Sequence, residues 1–238
     1  MNTLKTSLLA ILLTVCTSQI FAHALWIETN ATGKAGQAQQ VKLFYGEYAQ
    51  NERDSIAKWY SDVKELTLWL VGPDQQKTKL TTTLGYNVAT ASFTPEKDGI
   101  YTLLVSHPAK DLAGTTAYHF LASATVQVGT AKGFNEKAII NELKIIPLGG
   151  GGFTANTTVK LKAVHKGVIA KSKTISVFSP SGWSKEITTN ASGVAEFTPL
   201  WPGRYVVEVS DYQKAKGEQQ GKAYEALWKG ATYSFEVK

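Results

Sequence analysis

Short runs in which hydrophobic and polar residues alternate fill most of the chain after residue 40. These runs are rich in β-branched and aromatic residues and are separated by Gly, Pro, Asn and Asp, a pattern typical of β-strands. Helical periodicity is confined to one short segment, 54–62. The chain is therefore predicted to be all-β, with its clearest strands at 41–45, 66–71, 101–105, 125–128, 159–164, 174–178, 205–209 and 231–237.

An internal repeat relates the two halves of the chain. Residues 93–101 (FTPEKDGIY) and 197–205 (FTPLWPGRY) share Phe-Thr-Pro, the Gly and the Tyr at an offset of 104. A second match, 70–74 with 177–181, has an offset of 107, which a three-residue difference in the intervening hairpin would absorb. In each copy a strand ends at Phe-Thr-Pro, the Gly allows a positive φ at the corner, and the Tyr hydroxyl can bond back across it.

The repeat predicts two tandem antiparallel β-sandwich domains of the immunoglobulin or transthyretin-like kind, with about seven short strands each. Strand signals lapse between 128 and 139, so the domains are placed at 23–134 and 135–238. The glycine run 149–152 lacks the Lys-Ser/Thr of a phosphate loop and precedes a strand, which favours a turn over a nucleotide site.

Residues 1–22 have the layout of a secretory signal peptide, with one early lysine, an apolar stretch at 8–15 and a more polar end. Two cleavage points compete: after Ala22, or after Ala24 at the end of a literal Ala-x-Ala. The length of the polar segment favours Ala22, and His23 then becomes the first residue of an exported chain.

Removal of this segment leaves 24 basic and 19 acidic side chains, a net charge of +5. The charges form no tract of five or more, which argues against a nucleic-acid surface. If Cys16 leaves with the signal peptide, the mature chain has no thiol for disulfides or metal ligation. Beyond the N-terminus no apolar run is long enough for a membrane-spanning helix, so the mature protein is predicted to have none.

Any transition-metal site must therefore draw on the histidines and on carboxylates. If His23 is the first residue, its α-amine and imidazole Nδ1 can chelate one ion. A further imidazole would complete a nitrogen set suited to copper, whereas oxygen ligands would suit nickel or cobalt. The further candidate ligands are His107 at a strand end, His119 between aromatic residues, and Glu47 after a strand and a glycine.

Each candidate also has a purely structural interpretation. Cleavage after Ala24 would remove His23, and Glu47 could instead pair with a surface lysine. His165 lies in a predicted hairpin turn and is expected to be exposed and inert. The six Trp and ten Tyr could form a sugar-stacking platform, although in sandwiches they more often fill the core. No G-x-S-x-G, H-E-x-x-H or glycosidase-like carboxylate pair is identifiable, so the chain is predicted not to be an enzyme.

The segment 22–28 (AHALWIE), then Gly33 and Gly36, and then 41–47 with its Gly-Glu step resemble a family of bacterial periplasmic proteins described as NikM-like, or nickel-uptake-associated, whose mature chains begin near an Ala-His-x-x-Trp motif. Similar strand and turn segments extend over nearly the whole chain, at 125–129, 143–148, 189–193 and 231–235. Ala24 departs from the acidic residue often found there. The resemblance implies a periplasmic accessory protein linked to a metal.

The resulting hypothesis is a periplasmic protein that captures or delivers Ni, Co or Cu ions for an uptake system. Its metal ligands would be drawn from His23, His107, His119 and Glu47, and its partner would be a membrane transporter or another envelope protein. The alternative is a noncatalytic envelope or adhesion module that binds a glycan or a protein. A third hypothesis is an oxidative copper enzyme built on a histidine brace.

Overall fold

A computed structural model describes residues 23–149 and 152–238, so the predicted signal peptide lies outside the described residues. This part of the chain is all-β, with seventeen strands and no α-helix. The first nine strands are β1 (Ala24–Thr29), β2 (Thr32–Gly33), β3 (Gln39–Gly46), β4 (Leu68–Val71), β5 (Lys77–Leu80), β6 (Thr83–Leu84), β7 (Ala89–Phe93), β8 (Gly99–Pro108) and β9 (Thr116–Val128). The next eight are β10 (Leu143–Leu148), β11 (Val159–His165), β12 (Val168–Ile169), β13 (Thr174–Phe178), β14 (Ser184–Thr188), β15 (Val194–Phe197), β16 (Gly203–Gln219) and β17 (Lys222–Val237).

The short helix predicted near 54–62 is not formed as an α-helix. The segment instead carries 3-10 turns at Ile56–Lys58 and Val63–Glu65, after a first such turn at Tyr48–Gln50. These turns lie in the long connection between β3 and β4, where the buried side chains of Ile56 and Val63 anchor them to the core. Trp59 is buried there as well, but its backbone is extended, with φ −60° and ψ 134°, and Ser61 has a positive φ of 53°, so the helical spacing is interrupted after a single turn.

The first sandwich packs a small sheet, in the order β1-β3-β7-β6, against β9-β8-β4-β5. The second packs β10, β11, β12 and β15 against β17-β16-β13-β14. Strand alternation explains this arrangement, because successive side chains on each inner strand point alternately into and out of one core. On β8 the residues Tyr101, Leu103 and Val105 face the first core, and on β16 Tyr205 and Val207 face the second.

The repeat predicted from the sequence is present in the strand register. Leu68 of β4 lies opposite Val105 of β8, and Ile175 of β13 lies opposite Val209 of β16, which reproduces both offsets. The β4–β5 and β13–β14 turns have the same length, so the three-residue difference falls between the second hairpin strand and the Phe-Thr-Pro strand.

The two corner tyrosines occupy equivalent positions. Tyr101 donates its hydroxyl to the carbonyl oxygen of Lys97 at 3.0 Å. Tyr205 donates to the carbonyl oxygen of Trp201 at 3.2 Å. Each corner also uses its glycine, since Gly99 and Gly203 have positive φ angles of 155° and 124°. A side chain on either glycine would collide with the preceding Pro73 or Pro180 ring.

Both sandwiches share one nine-stranded sheet, because β17 pairs with β9 in parallel. Leu121 lies opposite Ala231, and both face the second core. Their neighbours Phe120 and Ala122 on β9 face the first core. The two cores therefore lie on opposite faces of the common sheet. The predicted domain boundary at residue 135 falls between β9 and β10, within 129–142.

The sandwiches also meet away from the shared sheet. Trp26 and Phe44, on the outer face of the first small sheet, pack with Phe178 and Val206 of the second sandwich. Polar contacts reinforce this junction, since the Tyr48 hydroxyl donates to the carbonyl oxygen of Arg204 at 2.7 Å. Within the described residues no helix is long and apolar enough to cross a membrane.

Candidate metal centre

His23 lies immediately before β1, between two carboxylates. The antiparallel register puts Ala24 opposite Gly46, which brings His23 beside Glu47. Imidazole Nδ1 is 3.6 Å from Glu47 Oε1, and Nε2 is 3.3 Å from Asp54 Oδ2. The His23 side chain is 40% exposed, so the group opens to solvent. The His23 imidazole packs against the Tyr45 ring in a tilted arrangement, with ring centroids 5.5 Å apart.

The loop after β3 brings Asp54 back to this point. Gly46 has a φ of 148°, and a Cβ there would lie 2.6 Å from the carbonyl oxygen of Glu52, so only glycine allows the close return. The Glu52 N–H donates to the carbonyl oxygen of Glu47, and the Asp54 N–H donates to that of Tyr45 at 2.9 Å. The closed loop therefore sets two carboxylates around the start of β1.

Arg53, the cation within this loop, points to a different acid. Its guanidinium lies 3.2 Å from Glu28 and stands over the Phe44 ring at 4.9 Å. Glu28 also accepts the indole N–H of Trp26 at 2.9 Å. The Arg53 charge is thus balanced by Glu28, and both Glu47 and Asp54 are directed to His23.

The Tyr45 hydroxyl remains a neutral neighbour of this group. Burial, and then the nearby Asp54 charge, raise the pKa of Tyr45 well above that of an ordinary phenol. It therefore stays protonated and adds no negative charge beside His23.

His107 faces the first core elsewhere on the sheet. Its Nε2 lies 3.0 Å from Asp62 Oδ1, and it stands opposite Phe120 in the β8–β9 ladder. Burial raises the pKa of Asp62, but hydrogen bonds from the Lys110 backbone N–H and the His107 ring lower this pKa by more than burial raises it, so the net shift is downward. His107 is thereby held by a single carboxylate beneath the β3–β4 connection.

His119 points to the opposite face of the sheet. Its Nε2 is 2.9 Å from the Ser106 hydroxyl, and its Nδ1 is 3.7 Å from Glu142. Glu142 is also paired with the buried Lys229 at 2.5 Å. Burial, assisted by Lys229, lowers the pKa of His119 to about 4. His119 is therefore neutral and enclosed in a charged cluster of the second sandwich.

His165 differs from the expectation of an exposed and inert residue. Its side chain is only 17% exposed, with Nδ1 3.9 Å from Asp211. Its Nε2 is buried without a hydrogen-bond partner. The expected exposure was wrong because β11 ends at His165 beneath the extended β16, which the sequence pattern did not predict to continue past Val209.

The structure thus places the predicted ligands at three separate sites. His23 and Glu47 lie together, whereas His107 and His119 each lie alone. Across residues 23–149 and 152–238, no group of three or more His, Cys, Asp or Glu side chains has an arrangement that could hold a metal ion. At His23 the reason is geometric, because the two carboxylates face different ring nitrogens. One ion on Nδ1 could take Glu47 and would need a third ligand from outside the side chains.

Asp54 fits a different role from Glu47. Metal-ligating histidines commonly donate their second ring N–H to a carboxylate, which fixes the tautomer and the ring orientation. Asp54 lies on the Nε2 side and can accept that proton, leaving the Nδ1 lone pair toward Glu47. Asp54 was not among the predicted ligands, although the Gly46-Glu47 step marks the start of the loop that carries it.

The fold and this histidine–carboxylate group describe a double β-sandwich protein with an exposed polar cluster at the first strand. The family described as "Domain of unknown function (DUF4198)" matches residues 20–212, and the chain belongs to this family. No curated protein matches the chain. A solved structure titled "Marsupial T cell receptor" is similar over 91% of this chain and 74% of its own, at 11% identity and a TM-score of 0.26. A likeness this low carries no argument about function.

Proposed function

We propose that this is a periplasmic, noncatalytic protein that binds one divalent transition-metal ion at His23 and serves metal uptake or handling. The supporting observation is the position of His23 between Glu47 on its Nδ1 side and Asp54 on its Nε2 side. Signal-peptide cleavage after Ala22 would add the α-amine of His23 as the missing third ligand. The set would then be one amine, one imidazole and one carboxylate.

Two nitrogens and one oxygen suit Ni²⁺, Co²⁺ or Cu²⁺. A histidine brace for oxidative copper chemistry would need a second imidazole. His107 and His119 have their own partners on opposite faces of the sheet, which favours a carrier over an oxidase. The resemblance to NikM-like proteins supports nickel or cobalt uptake, with a transporter or an envelope protein as the partner.

The first experiment is intact-mass analysis of the exported protein. The proposal expects His23 as its first residue, because only then is the α-amine adjacent to the imidazole. A mature chain beginning at Leu25 would remove the proposal at once. A chain with an acetylated His23 amine is the matched control, since every side chain is retained and only the third ligand is blocked.

Substitution of Glu47 or of Asp54 should weaken metal binding in that protein, each for a different reason. Glu47→Gln removes a proposed ligand and should weaken Ni²⁺ binding about tenfold or more. Asp54→Asn removes the carboxylate that orients the ring, and effects of such outer partners are about 10- to 100-fold. Loss from Asp54→Asn with no loss from Glu47→Gln would contradict the assignment of ligand and positioning residue.

A second candidate function rests on a different surface. Trp183 and Trp201 are 37% and 39% exposed, and their ring centroids are 6.3 Å apart. Trp183 and the exposed Leu200 border a shallow cavity of about 430 Å³ that also has hydroxyl and charged side chains. This arrangement suits stacking on a sugar, as in an envelope module. Glycan binding that survives chelation and is lost in Trp183→Ala would support this alternative.

A further inference from the structure

A cleft of about 450 Å³ lies between the two sandwiches. Residues 46–50 of the first sandwich border one side, and β13, β14 and β16 of the second sandwich border the other. The cleft exists because the apolar contact of Trp26 and Phe44 with Val206 holds the sandwiches together beside it. Its volume is that of a site for a small organic molecule, and such sites favour domain interfaces.

Strand register places two glutamates on the cleft side of the second sandwich. Ser176 of β13 pairs with Glu186 of β14 on one side and with Glu208 of β16 on the other, so the three form one row across the sheet. Two strand spacings separate the glutamates, which places their Cα atoms about 10 Å apart. The flanking Val207 and Val209 face the second core, so Glu208 must face the cleft.

The charge of the cleft opposes that of the protein. Its lining includes three carboxylates, Glu47, Glu186 and Glu208, and no Lys or Arg, although the chain as a whole is basic. The side-chain carboxylates of Glu208 and Glu186 make no hydrogen bond or ion pair with any described group. Burial raises the pKa of Glu208 to about 7. An unpaired, half-buried carboxylate is unfavourable alone and is compensated by a bound cation.

Apolar surface lies beside the row of acids, because Phe178 of β13 pairs with Val206 of β16 next to it. Phe178, Val206 and Trp228 line the cleft together with the hydroxyls of Ser176 and Ser210. Gly230 of β17 leaves room for the Trp228 indole, because a Cβ at this position would lie 2.2 Å from the ring. Aromatic faces and short apolar surface suit methylene groups and ammonium groups alike.

From this geometry we infer that the cleft binds an aliphatic amine with two or more ammonium groups, a diamine or polyamine. Separated carboxylates would each take one ammonium group, and the apolar side chains beside their row, Phe178 and Val206, would pack against the methylene chain. The volume suits a molecule of this length better than a single ion. The site does not require His23, although Glu47 borders both the cleft and the proposed metal centre.

Calorimetric titration of the full mature protein with spermidine and with putrescine tests the inference. Glu208→Gln and Glu186→Gln should each weaken binding about tenfold, the usual effect of one charge-assisted hydrogen bond. Glu65→Gln makes the same change at an exposed site outside the cleft and should have no effect. No binding by the wild type, or equal losses in all three variants, would overturn the inference.

Two further arms separate this site from the metal centre and from general polar binding. His23→Ala should abolish metal binding and leave spermidine binding intact, so each proposal can fail alone. 1,4-Butanediol has hydroxyls in place of the two ammonium groups of putrescine and should not bind. Equal affinity for the diol and for putrescine would contradict an amine site. So would a wild-type protein that binds no amine but binds Ni²⁺ in a way that depends on Glu208.

Discussion

Tyr101 and Tyr205 each close a corner of the fold with one hydroxyl. Both rings are buried, and each hydroxyl contacts the backbone four residues upstream. Tyr101→Phe and Tyr205→Phe should each lower the free energy of unfolding by about 0.5–1.5 kcal/mol, the net value of one hydrogen bond. Denaturant titration measures this, with Tyr86→Phe as the control because Tyr86 is 83% exposed. Unchanged stability in both corner variants would show that the corners do not depend on these bonds.

Glu208 should make stability depend on pH. Burial raises its pKa from 4.5 to about 7, so between these values the folded protein holds a proton that the unfolded chain has lost. Its contribution is therefore present at low pH and is lost as pH rises through 7. Glu208→Gln should raise Tm at pH 8, by an amount equivalent to roughly 1–3 kcal/mol, and change it little at pH 5.

The lining of the cleft supplies no cation that would oppose this direction. Glu47 and Glu186 border the same cleft, and Arg204, on the same face of β16, is paired with Glu236 at 2.8 Å. Glu65→Gln should show no comparable difference between pH 5 and pH 8. A Glu208→Gln variant that is less stable than the wild type at pH 8 would mean that the carboxylate has a favourable partner when charged.

Residue chemistry was predictable where it depended on local sequence. His23 and Glu47 could be connected because one precedes β1 and the other follows β3, and such strands often pair. Asp54 could not be connected with them, because its position depends on the path of the long β3–β4 connection. That connection returns to the end of β3 at Gly46, where only a glycine leaves room for the backbone of Glu52. Glu208 was visible only as a single acid in an apolar strand, and its cleft required the second sandwich to be placed.

At the level of elements, two hydroxyls fix β1 to β17. The Thr232 hydroxyl donates to the carbonyl oxygen of Leu25 at 2.7 Å, and the Ser234 hydroxyl donates to that of Ile27. Both side chains are buried, so the strand that directly follows His23 is held to the shared sheet by polar bonds as well as by packing.

Thr232→Val should therefore lower the free energy of unfolding by about 1 kcal/mol, because it removes one buried hydrogen bond with little change of shape. Thermal or denaturant unfolding measures the difference. Thr188→Val is the matched control on an exposed position of β14 and should be nearly neutral. Equal effects of the two changes would show that the Thr232 bond contributes nothing specific.

The strands themselves were mostly predictable, but their lengths were not. β13 matches its predicted span of 174–178, whereas β16 and β17 were predicted as 205–209 and 231–237 and extend to the turn at Gln220–Gly221. The extension is rich in lysine and glutamine, so it lacks the apolar alternation that identifies a strand. It forms because the hairpin gains partners in the first sandwich, including Lys222 with Asp111 at 2.6 Å.

On the scale of the whole molecule, the shared sheet should make the two sandwiches unfold together. The parallel β17–β9 ladder runs from Ala226 to Ser234, and Leu121 of the first sandwich belongs to the second core. Separation of the sandwiches would break this ladder and expose Leu121 to solvent. Scanning calorimetry should give one transition whose calorimetric and van't Hoff enthalpies agree. Two separable transitions, or a fragment 23–134 as stable as the intact protein, would contradict this coupling.

The sequence repeat predicted two like sandwiches but not their union. Tandem copies normally suggest separate domains, and nothing local in residues 116–128 marks β9 as the partner of a strand about a hundred residues away. The alternation of that strand is masked because both of its faces are buried, with Phe120 in one core and Leu121 in the other. Such a strand reads as a continuous apolar run, which does not specify its neighbours.

The central claim is that His23 anchors a transition-metal ion, and calorimetric titration of the correctly processed protein with Ni²⁺, Co²⁺ and Cu²⁺ tests it most directly. We expect one ion per chain, weaker binding as pH falls because the amine and the imidazole must lose protons, and loss of tight binding in His23→Ala. His165→Ala, in the second sandwich, should bind like the wild type. Absence of binding, or binding indifferent to His23→Ala, would contradict the claim.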